Sequence, residues 1–177
     1  MGVERDRTIA MSGEADLAAF VAEHYDRLVR LAQLVCRDGA DAGDAVQLGL
    51  EQAWRHRSTL RDESRLRPWL DRIVVRQAIR IARSRQSWLR RVFTPQAGVL
   101  WIEPADPRTQ EIPAWHALVA AFQELSAEQR AVIALHLYMG YSVIETAELV
   151  GAGVETVRSR LRLAKDRLRQ QLEERSE

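Results

Sequence analysis

The stretch that most constrains this chain is Tyr141 to Leu172, YSVIETAELVGAGVETVRSRLRLAKDRLRQQL. Ser142 stands three residues before Glu145. That is the spacing of a capping box, in which the serine oxygen takes the Glu145 N–H and the glutamate reaches back to the cap. A helix of about two turns follows. Gly151-Ala152-Gly153 then breaks the pattern. A short glycine turn between two helices points to a helix-turn-helix, and Gly153 is placed to cap the second helix. Val154, Val157, Leu161, Ala164, Leu168 and Leu172 recur at steps of three and four and predict one buried stripe.

The opposite face of that second helix holds Glu155, Ser159 and Arg162. Arg158 and Arg160 flank it, with Thr156 on the Arg160 side. Short polar groups at a helix start, flanked by arginines, suit entry into a DNA major groove. Arg can grip guanine with two bonds, Glu can accept from cytosine, and flanking Arg can hold phosphate. The competing reading is an amphipathic hairpin whose arginines are only solvated.

Charge is distributed unevenly. The formal net charge is +1, yet residues 1–53 carry −5, residues 54–91 carry +9, residues 92–124 carry −3 and residues 125–177 carry zero. A strongly basic segment in a near-neutral chain indicates a localised polyanion site. In that segment Leu66, Trp69, Leu70, Ile73, Val74, Gln77, Ala78 and Ile81 predict the inner face of a helix. Ser64 is the expected cap, and Pro68 falls in the first turn, where proline is tolerated. Arg65, Arg72, Arg76, Arg80 and Arg83 fall outside that face. Like charges at such spacing destabilise a lone helix, so a phosphate backbone is a fitting partner. A solvated basic surface is the alternative.

The remaining pattern is also helical. Leu17, Phe20, Val21, Tyr25, Leu28, Leu31, Ala32 and Val35 mark one face of a helix beginning near Glu14. Arg37-Asp38-Gly39 ends it. A helix over 42–55 follows, with Ala45, Val46, Leu50, Ala53 and Trp54 inward and Asp41, Asp44 and Glu51 outward. Four of the five prolines fall between Ser87 and Pro113, a span without helical period that reads as a flexible linker. Beyond it, Trp115, Leu118, Val119 and Phe122 stripe one helix. Ser126 and Gln129 form a second capping box. Val132, Ile133, Leu135, Leu137, Tyr138 and Met139 pack the next helix. The fold class is therefore all-α: two small helical domains joined by a flexible linker, the second with a helix-turn-helix.

No enzymatic constellation emerges. His24, His56, His116 and His136 are scattered and none pairs with Cys36 at metal-ligand spacing. His24 and His136 lie beside apolar stripes and read as core-edge residues. There is no phosphate loop and no nucleophile elbow, so no cofactor and no metal is expected. The lone cysteine fits a reducing cytoplasm, the N-terminus lacks an apolar signal core, and no run nears the ~18 apolar residues that span a membrane.

The segment 125–169 resembles the promoter-reading domain of bacterial sigma factors, most closely the extracytoplasmic-function (ECF) group. Leu125-Ser126, Gln129-Arg130-Ala131-Val132, Glu145-Thr146-Ala147, Gly151 and Thr156-Val157-Arg158-Ser159-Arg160-Leu161 carry that resemblance. Gly153, Glu155 and Arg162-Leu163 depart from the usual residues. Further matches lie at Asp44, Gln47 and Trp54, and at Arg67-Pro68-Trp69-Leu70; Gly43 and Leu50 depart. The polar stretch 1–13 reads as a flexible tail, and the resemblance implies a region 2-like domain over 14–86. A linker over 87–113 and a region 4-like domain over 114–177 complete it.

The same resemblance implies partners. Asp44, Gln47 and Glu51 would dock on core RNA polymerase. Arg65, Trp69, Arg72, Arg76, Arg80 and Arg83 would engage and melt the −10 element of promoter DNA, with the loop Ser58–Glu63 receiving a flipped base. Glu155, Thr156, Arg158, Ser159, Arg160 and Arg162 would read the −35 element. An anti-sigma protein is a further partner that the resemblance allows. The alternative function is a stand-alone helix-turn-helix regulator that acts by occupying an operator.

Overall fold

The computed structural model describes residues 14–60, 62–92 and 113–174. Those residues form seven helices and no strand: α1 (Glu14–Cys36), α2 (Gly39–His56), α3 (Leu66–Val92), α4 (Pro113–Gln123), α5 (Ala127–Ile133), α6 (Val143–Val150) and α7 (Val154–Glu174). Short 3₁₀ turns at Arg57–Thr59 and Glu63–Arg65 join α2 to α3. A π-turn, Ala134–Tyr138, continues α5.

Local chemistry sets the boundaries. α1 ends where Arg37 takes a left-handed φ of 71°, and its N–H bonds back to the Gln33 carbonyl. The glycine at 39 is not the breaker. Asp38 caps α2, accepting from the Ala40 and Asp41 N–H groups, so α2 starts at Gly39 rather than 42. The expected serine cap of α3 is also replaced. Asp62 Oδ1 accepts from both the N–H and the hydroxyl of Ser64 at 3.0 and 2.6 Å, and α3 begins at Leu66. α3 then runs to Val92, past the expected linker start at Ser87. The rest of the linker, residues 93–112, and the tail 1–13 lie outside the described residues.

In the N-terminal half, α1, α2 and α3 pack on one another. α2 and α3 approach closely at Gly49, where a Cβ would stand 3.0 Å from Val74 Cγ2 and 3.3 Å from Val74 Cα. In the C-terminal half, Phe122, Leu125, Val132, Ala147, Val157, Leu161 and Ala164 form a core among α4–α7. The two halves also pack on each other. One continuous core joins Leu31, Val35, Val46, Leu70, Val74 and Val75 to Ala127, Ala131, Ala134, Leu135 and Leu149. α3 packs on α5 and α6 as well as on α1 and α2.

Several apolar residues expected inward are exposed: Tyr25, Trp54, Leu137 and Tyr138. Trp54 lies near the end of α2, with the Arg57 guanidinium 5.2 Å from its ring centroid. Leu137 and Tyr138 fall in the π-turn, whose wider winding rotates them off the helical stripe. His24 and His136 are half-buried as expected. His24 meets Phe20 edge to face, and His136 Nδ1 lies 2.7 Å from the Tyr141 carbonyl.

Polar groups tie the shared core together. Asp71 on α3 is fully buried. Its two oxygens take Arg27 Nη1 and Nη2 of α1 at 2.7 and 2.6 Å, and Oδ2 also accepts the Tyr141 hydroxyl at 2.6 Å. Burial, then the Asp71 hydrogen bond and charge, push the Tyr141 phenol far above its usual range. Arg130, also buried, donates Nε and Nη2 to the Val35 carbonyl of α1 at 2.9 and 2.6 Å and Nη1 to the Leu125 carbonyl. Burial, with Arg37 nearby, lowers the Arg130 pKa to about 10.

Removing one partner of a buried ion pair leaves an uncompensated charge. Asp71→Ala should therefore lower the unfolding free energy by about 3–5 kcal/mol. Tyr141→Phe, which removes one neutral donor to a group that keeps its charge partner, should cost about 1–2 kcal/mol. Urea denaturation of both variants measures the difference.

Candidate nucleic-acid and polymerase interface

The helix-turn-helix is built by local contacts. Ser142 Oγ accepts the Glu145 N–H at 3.2 Å, and Glu145 Oε2 accepts the Ser142 N–H at 2.8 Å. α6 closes on Gly151, left-handed at φ 71°, whose N–H bonds to the Ala147 carbonyl at 2.9 Å. The Gly153 carbonyl takes the first bond of α7 from the Val157 N–H at 3.1 Å, so Gly153 holds the cap position without a side chain.

α7 then presents two faces. Val157, Leu161 and Ala164 are buried, while Val154 and Leu168 pack at the edge of that core. Glu155, Thr156, Arg158, Ser159 and Arg162 are exposed, and Arg160 is half-buried. Glu155 and Arg158 form an ion pair one turn apart. Leu163, absent from the sequence-based set, adds an exposed apolar group beside Arg162.

The α3 set divides. Arg65, Arg72, Arg80 and Arg83 are exposed and Arg76 is half-buried. Trp69 packs against the shared core. Arg72 and Arg80 have no ion pair among the described residues. Arg76 instead donates Nε to the Leu149 carbonyl at 2.9 Å and Nη2 to the Glu148 carbonyl at 3.0 Å, both at the end of α6. Burial, and then the Arg72 charge, lower the Arg76 pKa. Of the loop Ser58–Glu63, Arg61 lies outside the described residues; Thr59 Oγ1 donates to the His56 carbonyl at 2.7 Å.

The outer face of α2 holds Asp44, Gln47 and Glu51, all exposed. Gln47 Nε2 donates to Glu51 Oε1 at 3.4 Å, and Glu51 faces Arg55 at 3.7 Å. Exposed Leu48 and Trp54 share this face at helical spacing, making it acidic and apolar at once. Asp41 is turned away from it, paired with Arg85 of α3 at 2.8 Å.

Sequence reasoning missed Asp71, Arg27, Tyr141 and Arg130. Arg130 lies in the matched segment Gln129–Val132, but no motif marks its buried role, and the partners of all four are distant in sequence or are backbone carbonyls. Among the described residues no group of three or more His, Cys, Asp or Glu side chains is arranged to hold a metal ion. No described helix is long and apolar enough to cross a membrane.

Fold and faces together define an all-helical protein with a helix-turn-helix and a second, arginine-lined helical half. Residues 20–88 match the family described as Sigma-70 region 2, and residues 115–168 match Sigma-70, region 4. The ECF RNA polymerase sigma factor SigL of Mycobacterium tuberculosis is 36% identical over 170 residues, covering 93% of this chain and 94% of the relative. SigM of the same species is 33% identical over 146 residues, covering 82% and 71%. The fold is also that of the sigma factor RpoE solved in complex with the anti-sigma factor NepR from Bartonella quintana. There the TM-score is 0.68 at 25% identity, over 90% of this chain and 98% of the other. CnrH, solved in complex with the cytosolic domain of CnrY, shares the fold at TM-score 0.59 and 24% identity, over 92% and 91%.

This chain belongs to the ECF group of RNA polymerase sigma factors. It directs RNA polymerase to promoters. The alternative of a stand-alone operator-binding regulator falls, because the N-terminal half matches region 2.

The turn geometry makes a direct prediction. Ser142→Ala removes one half of the capping box and should cost about 1 kcal/mol of stability, read as a lowered melting temperature. Ser142→Asp should restore most of it.

Proposed function

We propose that the faces described above divide the work of initiation. The outer face of α2, through Asp44, Gln47 and Glu51, docks on core RNA polymerase, with Leu48 and Trp54 supplying apolar area. The arginine side of α3, through Arg72, Arg76, Arg80 and Arg83 with Arg65 of the preceding turn and Trp69 at its base, engages and helps melt the −10 element. The α7 face of Glu155, Thr156, Arg158, Ser159, Arg160 and Arg162 reads the −35 element. Residues 14–86 form the region 2-like half and 114–177 the region 4-like half, with a linker over 87–113 between them. The protein acts in the cytoplasm, where its polymerase and DNA partners work, and performs no chemical step of its own. An anti-sigma protein is a fitting regulator, since RpoE was solved in complex with the anti-sigma factor NepR.

The observation that carries this reading is the α7 surface: exposed polar groups and arginines opposite a buried Val157, Leu161 and Ala164 stripe, in a member of a promoter-reading family. An exposed, acidic α2 against an arginine-lined α3 supports the division of partners. Phosphate repels the one and attracts the other.

Run-off transcription with core enzyme tests the whole. Within it, Arg162→Ala should relax preference at the −35 position it contacts, costing about 1–3 kcal/mol for the preferred sequence. An equal loss across all upstream sequences would reassign Arg162 to phosphate. Asp44→Arg should abolish co-purification with core polymerase while leaving the circular dichroism spectrum unchanged, because an exposed substitution changes stability by about 0.5 kcal/mol or less.

A further inference from the structure

Leu163 is 51% exposed, while Val154, Val157, Leu161, Ala164 and Leu168 of the same helix all pack into or against the core. Its place on α7 follows from helical winding. At about 100° per residue, Leu163 lies about 40° from Ser159, and Arg162 lies about 60° from Ser159 on the other side. Thr156, two turns earlier, falls about 20° from Leu163. Leu163 is thus as central to the polar face as Arg162. It stands roughly 12 Å along the axis from Glu155, about the width of a major groove. A helical side chain also leans back over the preceding turn, toward the end that enters the groove in this mode of docking.

The charged side chains nearest to it along the helix turn to other partners. Arg167, one turn on, faces Glu124 at 3.8 Å, and Asp166 meets Arg169 at 3.4 Å. Arg160 is half-buried, and Arg158 pairs with Glu155 on the far flank. What remains in line is the hydroxyl and methyl of Thr156, the hydroxyl of Ser159 and the isobutyl group of Leu163. That last group neither donates nor accepts a hydrogen bond. Of the features that base pairs display in the major groove, the thymine C5 methyl is the one it matches.

We propose that Leu163 reads a thymine through its C5 methyl group and so sets the base preference at one position of the −35 element. The inference rests on the reading role proposed above for α7. Leu163 is among the positions where this chain departs from the family's usual residues, so the preference is particular to it. Burying one methyl-sized group is worth about fourfold in affinity. A cytosine or adenine at that place would press an amino group against the leucine and leave the donor unpaired. Leu163 also borders an open groove with Gln129 of α5 and with Asp166, Arg167, Gln170 and Gln171 of α7. Those neighbours carry amides or charges. A protein helix laid there would find a single apolar anchor, whereas a base methyl needs no more than one.

The test uses the full chain assembled with core RNA polymerase. Selection from a DNA duplex pool randomised over the −35 region gives the preferred sequence. Each of its thymines is then replaced singly by deoxyuridine, which removes the methyl and keeps the O4 acceptor. One replacement should weaken holoenzyme binding about fourfold. Leu163→Ala should weaken binding to the thymine duplex by about as much, and that replacement should then have no further effect. Leu163→Met, which keeps an apolar group in reach, should stay sensitive to it. Circular dichroism checks that these exposed substitutions leave the fold intact. If no thymine methyl matters, or if Leu163→Ala keeps the parent's thymine-to-uracil ratio, the proposal is wrong. Loss of co-purification with core polymerase in Leu163→Ala would also overturn it, giving the groove to a protein instead. Failure of the underlying reading looks different: Arg162→Ala would then select the same upstream sequence as the parent.

Discussion

The arrangement depends on a carboxylate that water does not reach. Asp71 has no exposure, and stripping a carboxylate of its hydration costs several kcal/mol unless charge and hydrogen bonds replace it. Here the replacement comes from both sides. Arg27 supplies two donors from α1, and Tyr141 supplies a third from the turn before α6. Satisfying one side chain thus requires α1, α3 and the helix-turn-helix half together. Arg130 works in the opposite direction, reaching from α5 to the orphan carbonyl of Val35 near the end of α1. Each half completes polar groups that the other leaves open.

That sharing explains which parts of the structure were legible in the sequence. Capping boxes at Ser126 and Ser142, and the glycine at the end of α6, are decided within four or five residues and stand where their spacing predicts. The α7 faces follow, because a helix whose one side meets a small core leaves its other side to solvent. α3 resists the same reading. Its periodicity suggests one inner stripe, yet Asp71, Val75, Ile79 and Ala82 are buried as well. A helix packed between two layers buries a wider arc than one partner needs, and single-stripe reasoning assumes one partner. The charged face of α2 was visible in its sequence, but Leu48 and Trp54 join it only because α2 turns its other side to Val74.

The +9 segment gains a physical account in the same way. Arginines at helical spacing repel one another, and the folded chain answers that repulsion internally. Arg85 takes Asp38 and Asp41, Arg83 takes Glu128, and Arg65 faces Glu148. Acidic residues on three other helices and a turn balance one basic helix, so a strongly uneven charge sequence folds into a nearly neutral whole.

The nature of those cations matters as much as their number. The chain has 25 Arg and one Lys, a bias that base composition alone could produce. The structure gives several of the arginines a reason beyond composition. Arg27 uses two nitrogens on the two oxygens of Asp71, Arg76 uses two on successive carbonyls of α6, and Arg130 spreads three over Val35 and Leu125. A lysine presents a compact, strongly hydrated charge on a flexible stem and lacks this planar fork. At these positions it would cost more to desolvate and would leave an acceptor unmet. Carbonyl acceptors carry no residue identity, so helical spacing alone does not separate Arg76 or Arg130 from their solvated neighbours. Only the backbone ends brought near them make the distinction.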